Sequence, residues 1–228
     1  MSTPQQALQF PVNVWQVPVR IWHWTLALCM AVLWVTGYLI GSPLASVHGE
    51  ASENFLMGWI RFAHFSAAYI FTCMFVMRVY WAIVGNKYAR EIFLVPLYML
   101  TPAWWKDFFG VVRHYLFISK GEEHVGHNPL AMVAMFAMYV LGSVFMIATG
   151  FALYGEGLGR ESWAFKLFSS WVIPLFGQSQ DVHTWHHVGA WYLFWFTMVH
   201  MYFAVREDLT SGLTVIGSMI NGWRRIKR

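Results

Sequence analysis

The stretch HTWHHVGAWYLFWFTMVH, residues 183–200, places four histidines in a segment otherwise built almost entirely from apolar and aromatic side chains. A segment of this length and character can lie inside a bilayer, where ionisable side chains are rare and expensive. Histidines in such a setting therefore indicate a site within the membrane. What that site binds depends on the rest of the chain.

The composition is that of a membrane protein. Of the 228 residues, 58% are hydrophobic and 11% are charged, whereas soluble domains carry about 25% charged residues. The net charge of +4 does not indicate a nucleic-acid partner, because the charges fall in blocks between apolar stretches, as they do beside membrane spans. The two cysteines lie within apolar stretches, which argues against a disulfide framework, and the missing C-x-x-C-H motif excludes covalent c-type haem.

Four stretches can each cross a bilayer, which needs roughly 20 apolar residues. They are 21–40, 62–84, 130–153 and about 182–205. With no repeat or second domain visible, the expected structure is all-α: an integral membrane four-helix bundle forming a single domain over residues 1–228. The inner connection, 85–127, is expected to lie partly along the membrane surface as short amphipathic helices.

The distribution of basic residues predicts the orientation of these spans. Twelve of the 15 Lys and Arg residues fall on one side and three on the other. By the positive-inside rule, both termini are expected in the cytoplasm, with the chain in the cytoplasmic (inner) membrane.

Helix geometry sorts the histidines of the fourth span. At about 100° per residue, His186 and His200 share one face of a helix and are separated by roughly 21 Å along its axis. His187 points about 140° away from His200, and His183 about 100° away. The first two are therefore the better candidates for one site-bearing face.

The first and second spans each supply one histidine at a matching depth. His23 lies at the cytoplasmic end of the first span, and His64 lies near the outer end of the second. These depths predict two pairs, His23 with His200 and His64 with His186. Two opposed imidazoles can hold a flat macrocycle between helices, and bis-histidine ligation of a haem iron favours electron transfer over oxygen chemistry.

Basic residues and glycines near these histidines fit the same interpretation. Arg20 and Arg61 each precede a candidate ligand by one helical turn, and Arg78 lies at the inner level. All three are candidates for binding haem propionates, although ordinary extension of the side chains to the interface explains them equally well. Gly37 and Gly189 are expected to let a porphyrin approach the backbone.

Other interpretations of the histidines stay open. A histidine inside a membrane can form a hydrogen bond between helices, and the i,i+4 pair His183 and His187 has zinc-like spacing without an evident third ligand. A metal or proton transporter lined by histidines would be expected to carry Asp or Glu within its spans, but all eleven acidic residues lie outside the span cores. A passive membrane anchor needs no histidines at matched depths.

At these residues the chain resembles the b-type cytochrome subunit of membrane-bound NiFe-hydrogenases. Two motifs carry the resemblance: RIWHWTLALCMAVLWVTG, residues 20–37, and H-T-W-H-H-x3-W-x4-F-x3-H, residues 183–200. The resemblance extends over all four spans. It implies two b haems, with the family's axial ligand positions falling on the four paired histidines.

The resemblance also implies a function. Such a cytochrome anchors a periplasmic hydrogenase, and its partners are a small subunit with iron–sulfur clusters and an anchor helix, and a large subunit. The chemistry on hydrogen belongs to those partners, because this chain has no Cys cluster and no nucleotide-binding Gly-rich loop. Similar four-helix cytochromes serve formate dehydrogenases, so that donor is an alternative.

Quinone is the electron acceptor that the resemblance implies. It would be reduced near the inner level, where Arg78, His114 and the loop 120–128 are possible contributors. The outer loops, 41–61 and 154–181, would form the surface on which the hydrogenase docks.

Overall fold

Four long helices dominate the computed structural model, which describes residues 9–44, 54–119, 124–211 and 214–227. In chain order, the elements are strand β1 (Gln9–Asn13), helices α1 (Val17–Gly41), α2 (Leu56–Val84), α3 (Lys87–Arg90), α4 (Val95–Tyr98), α5 (Pro102–Tyr115) and α6 (Pro129–Ala134), a π-helix (Met135–Val140), helix α7 (Leu141–Leu158), a second π-helix (Phe165–Ser169), helices α8 (Ser170–Phe176), α9 (Ser179–Ser211) and α10 (Val215–Asn221), and strand β2 (Trp223–Lys227).

The predicted four membrane spans are confirmed. Helices α1, α2 and α9, and the helix that runs from Pro129 to Leu158, are each long and apolar enough to cross a bilayer. Their ends differ from the prediction: α2 begins at Leu56 and not at residue 62, and α9 continues to Ser211. Hydropathy marks only the part of a helix that lies in hydrocarbon, whereas the backbone hydrogen bonds continue into the interface.

The third span begins at an asparagine cap and contains a π-helical segment. The side chain of Asn128 accepts a hydrogen bond from the backbone N–H of Ala131 at 2.8 Å, and Pro129 occupies the first turn, where its missing N–H is not needed. The π-helix over Met135–Val140 then inserts an extra residue into the helical ladder. This insertion changes the face that the flanking α-helices present, and the apolar pattern does not predict it.

The connection between the second and third spans contains the expected short helices, α3 to α5. The start of this connection is tied to the segment before α1. The side-chain oxygen of Gln16 accepts hydrogen bonds from the indole Nε1 of Trp81 and the backbone N–H of Asn86, both at 3.0 Å. The amide Nδ2 of Asn86 donates to the carbonyl of Val14, also at 3.0 Å.

A two-stranded antiparallel sheet joins the segments that flank the four spans. Strand β1 pairs with β2, so that Gln9 faces Lys227 and Asn13 faces Trp223. Just after β1, the backbone N–H of Val14 donates to the carbonyl of Gly222 at 2.9 Å. The sheet was not predicted, and it is a small addition to an all-α fold.

The chain divides into two compact units. Unit 1 comprises Met1–His23, Met77–Ala137 and Thr197–Arg228, and unit 2 comprises Trp24–Val76 and Met138–Phe196. Each of the four spans contributes residues to both units. The prediction that residues 1–228 form a single domain stays a prediction.

Candidate functional site

The candidate histidines separate into two pairs along the division of the chain. Unit 1 contains His23 and His200, and unit 2 contains His64 and His186. These are the pairs that helix phase and depth predict from the sequence. Each pair brings together one imidazole from the first or second span and one from the fourth.

The two imidazoles in unit 1 lie side by side. The ring centres of His23 and His200 are 6.3 Å apart, and their planes make an angle of 55°. With metal–nitrogen bonds of about 2 Å, two opposed imidazoles on one metal have ring centres about 6 Å apart. The observed distance is close to that value, so these two rings are a suitable pair for one iron.

In unit 2, His64 is held by the end of α1. Its Nδ1 lies 2.9 Å from the hydroxyl oxygen of Thr36. The same hydroxyl donates to the backbone carbonyl of Val32, one turn earlier, at 2.6 Å. The ring also lies against Gly37, where an added Cβ would be 3.3 Å from its Cε1 atom.

The second imidazole of unit 2 is held in the same way by α7. Nδ1 of His186 lies 2.8 Å from the hydroxyl oxygen of Thr149, which donates to the carbonyl of Phe145 at 2.8 Å. An added Cβ at Gly150 would be 3.2 Å from Cε1 of His186. Within this unit, His64 is close enough to His186 to interact with it electrostatically.

These arrangements fit a haem in both chemistry and shape. Each pair offers two nitrogen donors from different helices, the donor set of a bis-histidine haem. In unit 2, a glycine lies beside each imidazole ring, so the ring sits against a helix surface that a side chain would otherwise occupy.

The three candidate arginines have different surroundings. Arg78 is 1% exposed, and its guanidinium carbon lies 5.1 Å from the ring centre of Trp22 and 5.0 Å from that of Phe93. Such cation–π contacts stabilise a guanidinium with little access to water. Arg20 donates from Nη1 to the carbonyl of Ile220, and Arg61 is exposed. Their role in binding propionates stays a prediction.

The other two histidines of the fourth span have local contacts. His183 is exposed, and its Nδ1 lies 3.2 Å from the carbonyl of Ser179, one turn earlier. His187 packs directly on the backbone of Gly41. Among the residues that the structure describes, no group of three or more His, Cys, Asp or Glu side chains is placed to hold a metal ion.

A second polar cluster in unit 1 surrounds His127. Both Nδ1 and the backbone N–H of this residue contact one carboxylate oxygen of Glu91, at 3.1 Å and 3.0 Å. The ring centre of Trp15 lies 4.9 Å from that of His127. Arg224 donates from Nη1 to the carbonyls of Val125 and Gly126, both at 2.9 Å, and so fixes the segment before His127.

A half-buried tyrosine completes this part of unit 1. Burial raises the pKa of the Tyr115 hydroxyl, although the amide of Asn128, which donates to it at 3.3 Å, opposes the shift. The phenol is therefore neutral at physiological pH. Of the predicted loop 120–128, residues 120–123 lie outside the described residues, as do 45–53 of the predicted outer docking surface.

Sequence reasoning missed part of the unit 2 arrangement. It did not identify Thr36, Thr149 or Gly150 as neighbours of the imidazoles. The available signal was the Thr-Gly dipeptide, present in both the first and third spans. The expectation for Gly189 was wrong: it packs against the side chains of Phe145 and Met146, so it allows close contact with α7.

Comparison with known proteins agrees with this architecture. Residues 14–222 match the sequence model of the family described as prokaryotic cytochrome b561. The chain is 58% identical over 220 residues to a protein of Azotobacter vinelandii, 54% identical over 215 residues to one of Cupriavidus necator, and 49% identical over 219 residues to one of Escherichia coli. These alignments cover 96%, 94% and 94% of this chain and 90%, 87% and 91% of the relatives.

The relatives bear out the resemblance seen in the sequence. Those of Azotobacter vinelandii and Cupriavidus necator are named probable Ni/Fe-hydrogenase B-type cytochrome subunit, and the one from Escherichia coli is named probable Ni/Fe-hydrogenase 1 B-type cytochrome subunit. A cytochrome of the b type carries haem b, which is the group that the paired histidines fit. With its four apolar helices and a match over nearly its whole length, this multi-pass membrane protein belongs to the prokaryotic cytochrome b561 family.

Proposed function

We propose that this chain is the dihaem cytochrome b subunit of a Ni/Fe-hydrogenase in the cytoplasmic (inner) membrane, with quinone as its electron acceptor. The observation that carries the proposal is the presence of one histidine pair in each of the two compact units. His23 and His200 would hold one iron, and His64 and His186 the other. Haem b with two imidazole ligands exchanges single electrons and leaves no coordination position open to oxygen.

The names of the relatives support a hydrogenase as electron donor in preference to a formate dehydrogenase. In that assembly a large subunit would oxidise hydrogen, and a small subunit would carry the electrons in iron–sulfur clusters. The anchor helix of the small subunit needs an apolar surface. An open groove of about 300 Å³ between α7 and α9, lined mostly by apolar and aromatic side chains, offers one.

The cluster around His127 supports quinone reduction in unit 1. Reducing a quinone to a quinol takes two electrons and two protons. The contact between Glu91 and Nδ1 of His127 provides a pair of groups that can hold and release a proton. This pair belongs to the same unit as His23 and His200, and His127 is close enough to His200 to interact with it electrostatically.

Spectra of native membranes test the proposal. Under anaerobic conditions, hydrogen should produce the absorption bands of reduced haem b, and a soluble quinone analogue added afterwards should bleach them. Formate, given to the same membranes in place of hydrogen, serves as the comparison. Reduction by formate and not by hydrogen would overturn the proposed donor, and membranes without a haem b spectrum would overturn the cytochrome itself.

A further inference from the structure

The two imidazoles of unit 2 are held by equivalent pieces of helix. In α1 the dipeptide Thr36-Gly37 contacts His64, and in α7 the dipeptide Thr149-Gly150 contacts His186. In both cases the threonine hydroxyl meets Nδ1 and the glycine lies beside Cε1. One arrangement therefore occurs twice, on different helices and at different separations along the chain.

The hydroxyl protons determine the direction of these hydrogen bonds. A threonine hydroxyl has one proton, and Thr36 directs it to the carbonyl of Val32 at 2.6 Å, a normal length for an O–H···O bond. Its oxygen can then only accept from His64. By the same reasoning, Thr149 donates to the carbonyl of Phe145 at 2.8 Å and accepts from the other imidazole. Each Nδ1 therefore carries the proton.

Protonation at Nδ1 fixes which nitrogen is left to bind a metal. In a neutral imidazole the other nitrogen, Nε2, then holds the lone pair. Because Nδ1 faces the threonine and Cε1 faces the glycine, neither ring can turn over without losing its hydrogen bond. His64 and His186 are thus held with Nε2 as the available donor atom.

We propose that Thr36 and Thr149 are positioning residues that set the tautomer, orientation and basicity of the two histidines, and through them the reduction potential of the haem bound in unit 2. This inference rests on the proposed haem ligation by the four histidines. A hydrogen bond accepted from the distal N–H of a ligating imidazole makes that imidazole a stronger electron donor. A stronger donor stabilises ferric over ferrous iron, so loss of the bond raises the potential.

Potentiometric titration of the purified full-length cytochrome tests the inference. Thr36→Val and Thr149→Val keep the shape of the side chain and remove the hydroxyl, and each is expected to raise one and the same haem potential. The haem that shifts should be the one lost when His64 is replaced by alanine. Thr36→Ser and Thr149→Ser restore the hydroxyl and should return that potential to its wild-type value.

Thr72→Val provides a matched control within α2. The hydroxyl of Thr72 also donates one turn back, to the carbonyl of Ala68 at 2.8 Å, in the same helix as His64. Its removal should leave both potentials unchanged.

Several outcomes would overturn the inference. Unchanged potentials in both valine variants, with two haems still bound, would refute it and leave the proposed function standing. The inference would also be refuted if the serine variants showed the same change in haem potential as the valine variants, or if both kinds of variant lost the haem. Haem loss in a valine variant, with retention in the serine variant, would support it. A wild-type protein that binds no haem would instead refute the proposed function.

Discussion

The imidazoles of His64 and His186 are expected to hold one haem between them, so removal of either should release that haem and leave the other. We expect haem b per polypeptide to fall from about two to about one in His64→Ala and in His186→Ala, because each change would remove one of the two imidazoles proposed to hold that iron. A pyridine haemochrome assay on purified protein measures this ratio.

The matched control is His183→Ala, on the same helix as His186. His183 is exposed and contacts the carbonyl of Ser179, so its replacement should leave two haems bound. Two haems retained in the variants of His64 and His186 would show that these residues are not ligands.

Proton delivery from the Glu91–His127 pair is expected to limit quinone reduction. In Glu91→Gln and in His127→Ala, quinol formation driven by hydrogen should slow by about 100-fold, the usual contribution of a well-placed acid–base group. Reduction of the haems by hydrogen should continue. The assay is quinone reduction in membranes, with the haem spectrum followed in parallel.

His124→Ala is the control for this pair. His124 contacts the carboxylate of Asp107 at 3.1 Å and lies in the same loop as His127. Its loss should leave the rate of quinone reduction close to that of the wild type. If quinone reduction in the variants of Glu91 and His127 were as fast as in the wild type, the cluster would not be part of the quinone site.

The grouping of the four histidines into two pairs could be predicted from the sequence, whereas their role as haem ligands stays a prediction. Phase and depth along a single helix follow from the residue number alone, and this selected His186 and His200 over His183. The threonine contacts could not be derived in the same way. Whether Thr36 reaches His64 depends on the rotation of α1 against α2, which one-dimensional patterns do not contain.

At the level of helices, the glycines beside the imidazoles make a further prediction. Gly150→Ala places a Cβ 3.2 Å from Cε1 of His186, so the ring must shift by a few tenths of an ångström. Alanine is the better helix former by about 1 kcal/mol, so α7 itself should form normally. We expect weaker retention of the unit 2 haem, seen as loss of its absorbance at a lower temperature than in the wild type.

Gly157→Ala separates this effect from helix propensity. Gly157 is also in α7, but no atom lies within 4 Å of the position of an added Cβ. That variant should retain the haem as the wild type does. If both variants lost the haem absorbance at the same temperature, the space beside His186 would not be needed for haem retention.

The four spans could be predicted, because an uninterrupted run of about 20 apolar residues has the length and composition of a transmembrane helix. Their internal irregularities could not. The π-helix over Met135–Val140 lies within an uninterrupted apolar run that reads as regular helix. Local apolar periodicity gives no sign of the extra residue that a π-helical turn inserts.

For the whole molecule, the pairing of β1 with β2 bears on orientation. Strands that form one sheet must lie on the same side of the membrane, so the segments before α1 and after α9 share a side. Together with the basic residues, this leads us to expect that side to be the cytoplasm. Alkaline phosphatase, active only outside, should be inactive when fused after residue 227.

A fusion after Gly159 gives the opposite expectation and serves as the control. Gly159 follows α7, at the far end of the third span, so phosphatase joined there should be active. Activity at residue 227 combined with inactivity at Gly159 would reverse the proposed orientation and place the quinone cluster outside.

The sheet itself could not be predicted, because its two strands are five residues long and separated by all four spans. QFPVN alternates but contains a proline, which weakens a strand assignment, and WRRIK does not alternate. The same separation limits any method that reads local periodicity. Pairings of this kind are fixed by the fold as a whole.

The separation of these strands also sets an order for biosynthesis. Strand β1 leaves the ribosome first, and its partner emerges only after the translocon has received the four spans. Until then, the backbone groups that β1 will share with β2 are left to solvent or chaperones. The sheet can therefore form only after translation has passed α10.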